Sequence, residues 1–321
     1  MVSTLKNGGA GQHINFFIRV HQTNMTYQQL LAIWQEADRL GYDGASLYDL
    51  LAAPCLESWT VLSALTMATQ HLRAIPMVLA YPYRHPAVLA KMAATLDVIS
   101  GGRLVLGLGA GGSQLDHTSS GIPWWPIQER LARLEDGVNL IRFLWSGQEG
   151  QYTSRYHGTV VGPAYPLPIQ RPGPPILIGG HGEQYVLRTV VRVAELCNIG
   201  FDLSTVQWER YKEMLSHYAA KEDLEAAAVD LTHNATVILG HDPAVIRNGI
   251  EHYASSRGCS VTNAWQRLEH ALVGTPEQCV ARLQAYVALG IRHFFLLFPD
   301  LPDVTSLKLF AHTVLPVFRS A

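Results

Sequence analysis

The stretch from Arg84 to Gly112 limits the possible folds more than any other part of the chain. Pro86 suits the first turn of a helix, where no backbone N–H is needed. Val88, Leu89, Met92, Ala93, Leu96 and Ile99 then recur at helical spacing and leave one apolar face. Ser100-Gly101-Gly102 ends that helix, because glycine accepts the positive φ that other residues resist. Arg103 to Leu108 is a short apolar run of strand type. It ends in Gly109-Ala110-Gly111-Gly112, where missing Cβ atoms let backbone approach a ligand. Together they make one αβ step of a parallel α/β fold, with the glycine loop on the ligand-binding side.

The same step repeats along the 321 residues. Strand candidates are Ile14 to Val20, Gly44 to Tyr48, Leu72 to Ala80, Arg103 to Leu108, Ile176 to Gly180, Leu196 to Phe201, Asn234 to Leu239 and His293 to Phe298. Between them the spacing predicts helices from Thr26, as cap, to Leu40, then over Glu57 to Gln70, Ile127 to Trp145, Glu183 to Ala194 and Val206 to Ala220. Pro243 to Ser256 and Pro276 to Leu289 are two more, joined by a long connection, and Val304 to Phe318 closes the chain. Strands alternating with helices argue for a parallel sheet covered by helices. Eight such strands suffice to close a barrel with every strand-end loop at one rim, and a doubly wound open sheet is the alternative. Residues 1–13 carry glycines and polar groups without period and read as a flexible tail, leaving 14–321 as one domain. Residues 147–174, with Tyr152, Tyr156, Val160 and Val161 in hairpin spacing and prolines crowding after them, read as a surface excursion between strands four and five.

A hydrophobic fraction of 48% with 16% charged residues supplies one large core. A net charge of −2 gives no electrostatic reason to expect nucleic acid or an anionic membrane as partner. Cys55, Cys197, Cys259 and Cys279 are too scattered for a metal cluster, and no HExxH occurs, so no metal is expected. Absence of a signal-type N-terminus and of a long apolar run points to a cytoplasmic protein. Gly-x-Ser-x-Gly is also absent, which argues against an α/β-hydrolase nucleophile. Gly179-Gly180-His181-Gly182 stands directly before a helix. It reads as a phosphate cradle at a helix start or as a plain helix-entry turn.

Arg84-His85-Pro86, Ala90-Lys91, Ala94-Thr95-Leu96-Asp97, Ser100-Gly101-Gly102-Arg103 and Gly107-Leu108-Gly109-Ala110-Gly111 resemble the bacterial luciferase-like monooxygenase superfamily. Within it they look most like the branch that uses the deazaflavin coenzyme F420, and the resemblance continues almost to the C-terminus. It implies a TIM (β/α)8 barrel, a homodimer, and a cytoplasmic oxidoreductase transferring a hydride between F420 and a small-molecule substrate. The bond reduced would be an activated C=C or C=N.

The resemblance also suggests a site. Gly179, Gly180, His181 and Gly182 would hold the cofactor's phosphate end, and Gly109 and Gly111 would lie against the cofactor. Strand three would carry a non-proline cis peptide behind the ring, aligned most naturally at Met77–Val78, with Pro76–Met77 as alternative; the family usually has Gly-Thr where Ile75-Pro76 stands. Asp49 is kept where the family often shows Asp-His, but Leu50 replaces the histidine. Gly112 replaces a Trp or Glu and leaves a roomier substrate pocket. Asp116 and His117 stand where Glu-His is common, and are candidate proton donors with Asp49 and the rim residue His21. Trp124 is placed either over the ring face or in a flap at a subunit contact. Arg188 and Arg192 are surface arginines with a looser claim on cofactor phosphate. Two other functions remain open from sequence. One is an FMN-dependent monooxygenase, favoured by Leu50; the other is a non-catalytic flavin-binding barrel, favoured by the acids missing at Leu50 and Gly112.

Overall fold

The computed structural model describes residues 13–180, 182, 185–224 and 229–319. The chain opens with β1 (Asn15–Arg19), α1 (Tyr27–Arg39), β2 (Gly44–Leu47), α2 (Ser58–Met67), β3 (Arg73–Pro76) and β4 (Leu79–Ala80). Next come α3 (Pro86–Ser100), β5 (Leu106–Gly109), α4 (Gln114–Ser119), α5 (Ile127–Trp145) and the hairpin β6 (Gly150–Ser154) and β7 (Gly158–Gly162). The second half runs β8 (Ile176–Gly180), α6 (Tyr185–Val193), β9 (Leu196–Ile199), α7 (Thr205–Lys221) and β10 (Asp230–Leu239). It ends with α8 (Pro243–Ser256), α9 (Val261–Arg267), β11 (Leu272–Gly274), α10 (Pro276–Ala288), β12 (His293–Leu297), α11 (Thr305–Thr313) and α12 (Leu315–Arg319).

The barrel strands run in the order β3-β2-β1-β12-β10-β9-β8-β5-β4, and every pairing is parallel. β3 and β4 are two halves of one stave, separated by a cis bond at Met77–Val78. The lower half meets the next stave through Ala74 N to Arg103 O at 2.8 Å and Val105 N to Ala74 O at 3.0 Å. The upper half pairs Leu79 with Leu108 and Ala80 with Gly109. The sheet is therefore a closed (β/α)8 barrel rather than an open one.

Strand parity decides what enters the barrel. Phe16, Ile18, Phe294 and Leu296 belong to the large core shared with the helices. Phe17, Ile75, Val105, Leu177, Leu196 and Phe295 form a separate plug inside, with the Phe17 and Phe295 rings stacked at 4.7 Å. Two residues further along the same faces stand Arg19, Met77, Gly107, Gly179 and Asn198. Met77 still packs with the plug, but Arg19 and Asn198 turn this layer polar and Gly179 carries no side chain, and a cavity opens there. Close approach explains the glycines: a Cβ on Gly109 or Gly179 would lie 2.6 or 2.7 Å from the Val78 side chain.

Several expectations need correction. His13 does not belong with a free tail, since its Nε2 lies 3.1 Å from Asp43 Oδ1; residues 1–12 are outside the described residues. The polar loop before α5 contains α4, whose cap Ser113 accepts from Asp116 N. The long connection after α8 contains α9 and β11; α9 buries only Ala264, so it shows little apolar period. The last helix is two, because Pro316 in the first turn of α12 offers no N–H to the preceding turn.

Candidate active site

The C-terminal rim of the barrel surrounds a cavity of about 890 Å³. It has two chemically different walls.

The first wall is built on β2, β4 and β5. Asp49 follows β2 with its carboxylate fully engaged, accepting from Ala80 N at 3.0 Å and from Arg84 Nη1 and Nη2 at 2.7 and 3.0 Å. Arg84 Nη2 also reaches Glu57 Oε1 at 2.7 Å. Asp116 is buried and accepts from Ala52 N at 2.7 Å and from the Tyr83 hydroxyl at 3.2 Å. Burial and the neighbouring Asp116 push the Tyr83 phenol upward, so it stays a donor. Leu50, Gly109, Gly111 and Gly112 line the same side, and a Cβ on Gly112 would meet nothing within 4 Å.

His117 and Trp124 lie behind this wall rather than in it. His117 is wholly buried, donates from Nδ1 to the Pro123 carbonyl at 2.8 Å, and packs against Trp124 at 4.8 Å between ring centres. Trp124 in turn carries the Arg130 guanidinium 3.8 Å above its ring. Neither reaches the cavity lining, so His117 serves as a brace for the α4–α5 turn.

The second wall comes from β1, β9 and β10. Arg19 donates from Nε to the Tyr48 hydroxyl at 2.7 Å and from Nη1 to Asn234 Oδ1 at 2.6 Å. Its guanidinium lies over the Tyr48 and Phe201 rings, 4.7 and 4.5 Å from their centres. Burial pulls its pKa down. Asn234 is fixed by Asn198, donating to its Oδ1 at 2.9 Å and to the Gly200 carbonyl at 2.6 Å. Asp202 accepts from Thr236 N at 2.7 Å and Thr236 Oγ1 at 2.8 Å, and burial pushes its carboxyl up to about 6 despite those bonds. His21 stands exposed at the rim beside Tyr48, held below its usual pKa by partial burial and by Arg257 and Arg19. Arg257 and Arg267 complete the mouth.

Of the residues expected from sequence, Met77, Val78, Gly109, Gly111, Gly112, Gly179, Gly180, Asp49, Leu50, Asp116 and His21 all line this cavity. His181 lies outside the described residues, and Gly182 follows with φ +129°. Arg188 and Arg192 do not approach the cavity, being paired with Glu222 at 3.1 and 2.7 Å and, for Arg192, with Glu135 at 3.0 Å. Sequence reading missed Arg19, Asn198, Asn234, Asp202 and Thr236. The available signal was parity: Arg19 lies two residues beyond the inward Phe17, and Asn198 two beyond the inward Leu196. Among the described residues, no three His, Cys, Asp or Glu side chains are grouped so as to hold a metal ion, and no helix is long and apolar enough to cross a membrane.

Comparison with known proteins adds lineage to this geometry. Residues 11–293 match the model of the luciferase-like monooxygenase family. The chain is 28% identical over 323 residues to an F420-dependent glucose-6-phosphate dehydrogenase of Microbacterium testaceum, covering 91% of this chain and 93% of that protein. A like-named protein of Amycolatopsis mediterranei is 27% identical, with 84% and 85% covered. Among solved structures, the F420-dependent tetrahydromethanopterin reductase of Methanopyrus kandleri superposes with a TM-score of 0.78 at 17% identity, covering 96% of this chain and all (100%) of that one. A monooxygenase from Streptomyces bottropensis gives 0.79 at 20% identity, with 95% and 100% covered.

Proposed function

Because the chain belongs to the luciferase-like monooxygenase family, we propose that it is an oxidoreductase that uses coenzyme F420 for hydride transfer to or from a small-molecule substrate. The observation that carries this reading is the rim cavity of about 890 Å³, with Gly109, Gly111, Gly112, Gly179 and Gly180 in its lining. A flat ring system with a phosphate tail fits such walls, because glycine lets backbone N–H groups and ring faces come close. Met77 and Val78 would back the ring, Gly109 and Gly111 would meet its edge, and Gly179, Gly180, His181 and Gly182 would hold the phosphate end. When bound, the deazaflavin supplies the carbon that donates or accepts the hydride.

The chain's own residues divide the remaining work. Asp202 is the group best suited to hold a proton, since it lines the cavity and its carboxyl is pushed up to about 6. Asp49 and Asp116 act as fixed posts, because guanidinium, backbone and phenol donors engage their oxygens. Leu50 and Gly112 shape a pocket without an acid of their own, which suits reduction of an already activated C=C or C=N bond. Homodimeric assembly and a cytoplasmic setting belong to the same proposal, and light scattering of the purified protein checks the first.

Fluorescence titration of the apoprotein with F420 and, separately, FMN tests the cofactor. Saturable F420 binding at least tenfold tighter than FMN is expected. The reverse preference would move the chain to FMN-dependent oxygen chemistry, and binding of neither would leave a barrel without turnover.

A further inference from the structure

The cavity's charges do not balance, and the imbalance sits at one place. Arg19 is only 8% exposed, yet no carboxylate lies within ion-pair distance of it among the described residues. Its Nε and Nη1 are taken by neutral oxygens, those of Tyr48 and Asn234, while Nη2 has no acceptor among the described residues. Burying an unpaired guanidinium is costly, so such a group normally sits beside an anion. The nearby acids are not free to serve. Asp49 is held by Arg84, Asp116 by Ala52 and Tyr83, and Asp202 by Thr236. Two further arginines at the mouth, Arg257 and Arg267, are exposed and likewise without a carboxylate among the described residues.

We infer that the substrate is an organic carboxylate, anchored deep in the cavity on the Nη2 edge of Arg19 and drawn in past Arg257 and Arg267. The substrate class rests on the oxidoreductase reading above, although the anion site itself does not. A planar acceptor suits the place, because Nε and Nη1 are already engaged by Tyr48 and Asn234 and the Tyr48 and Phe201 rings lie close by, so the guanidinium offers only its Nη2 edge. A tetrahedral dianion at that depth would need more donors than one edge supplies. Cations at the mouth raise the local concentration of anions and speed their entry. A carboxylate conjugated to the bond being reduced would also have its developing negative charge met by Arg19.

Benzoate and benzamide have nearly the same shape and differ in charge, so they isolate this contact. Both are titrated against the F420-loaded protein, followed by cofactor fluorescence, and against the apoprotein, followed by thermal shift. Benzoate is expected to bind at least tenfold tighter than benzamide. Arg19→Gln should bring that ratio close to one and change F420 affinity less than threefold, while Arg19→Lys should keep part of the preference. If Arg19→Gln does not fold, the wild-type ratio and Arg19→Lys decide. Equal binding of the two probes by the wild type would overturn the proposal. So would an Arg19→Gln protein that loses F420 tenfold yet keeps its benzoate preference, because the guanidinium would then face the cofactor. Displacement of benzoate by an equal concentration of inorganic phosphate would replace the carboxylate with a tetrahedral anion and sink the assignment as stated. Benzoate preference in apoprotein that binds no F420 would uphold the anion site while the cofactor reading fails.

Discussion

The two walls of the cavity treat charge in opposite ways. On the side of β2, β4 and β5, carboxylates are answered: Asp49 by a bidentate Arg84, Asp116 by a backbone N–H and a phenol. On the side of β1, β9 and β10, Arg19 has only neutral partners, and Asp202 is held by a threonine rather than a cation. Answered charges fix loops. Unanswered ones hold an electrostatic cost that a ligand or a transferred proton can relieve. The acids most visible in the sequence therefore lie on the wall that supports, and the residues most able to act lie on the other.

Breaking the matched wall should give the largest effect. Arg84→Met leaves Asp49, whose side chain is 1% exposed, without its partner, and about 3–5 kcal/mol of stability should be lost in chemical denaturation. Asp49→Asn in the same chain should restore part of that loss, and a double variant no better than Arg84→Met would deny the pairing its role.

Neutralising the unmatched acid should do the opposite to stability. The folded carboxyl of Asp202 titrates at about 6 against an ordinary value of 3.8. Its protonated form favours folding below the lower value, and that contribution is lost as pH rises through about 6. Asp202→Asn should therefore gain roughly 2–3 kcal/mol at pH 8 and little at pH 4, read from urea midpoints at both pH values. Its turnover should meanwhile fall about 100-fold and lose the inflection near pH 6. A variant that is less stable at pH 8, or that keeps the inflection, would remove Asp202 from the proton's path.

Making the second wall resemble the first is a subtler change. Asn234→Asp would hand Arg19 a carboxylate and give up the amide bonds to Asn198 and Gly200. Those effects offset within about 1 kcal/mol of stability. Benzoate preference should drop at least tenfold, since the guanidinium is then satisfied from within. The smallest stability effect is expected at Gly112→Trp, within about 0.5 kcal/mol because a side chain there starts in open space. Its readout is selectivity: bulky substrates should slow at least tenfold while small ones are spared.

How much of this the chain announced in advance follows from the range of each interaction. The staves and αβ steps follow from local periodicity, the cis bond at Met77–Val78 from the family resemblance, and the structure has them. The interrupted stave did not follow from apolar pattern, because Leu72 to Ala80 reads as one strand. Pairings across the fold were invisible: nothing near Asp49 signals that Arg84, 35 positions away, will close on it. His117 is a candidate proton donor by its match to the family's Glu-His, yet the turn through Pro123 folds over it. Arg19 was missed for a simpler reason. Strand one, Ile14 to Val20, contains it without marking it, and only its parity with Phe17 sends it inward.

β10 runs ten residues, and only its lower part, Asp230 to Thr236, joins the barrel; Val237 to Leu239 pair instead with β11. The upper part carries α8 and α9 on a core of their own, made by Ile238, Ile250, Tyr253, Ala254, Ala264, Leu268 and Ala271. Arg257 and Arg267 are set on that outrigger, while Arg19 belongs to the hull. Recruitment of substrates and the chemistry done on them are thus written on separately packed pieces of protein. Exchanging residues 240–274 for a relative's segment should redirect which molecules are admitted without rebuilding the chamber that receives them.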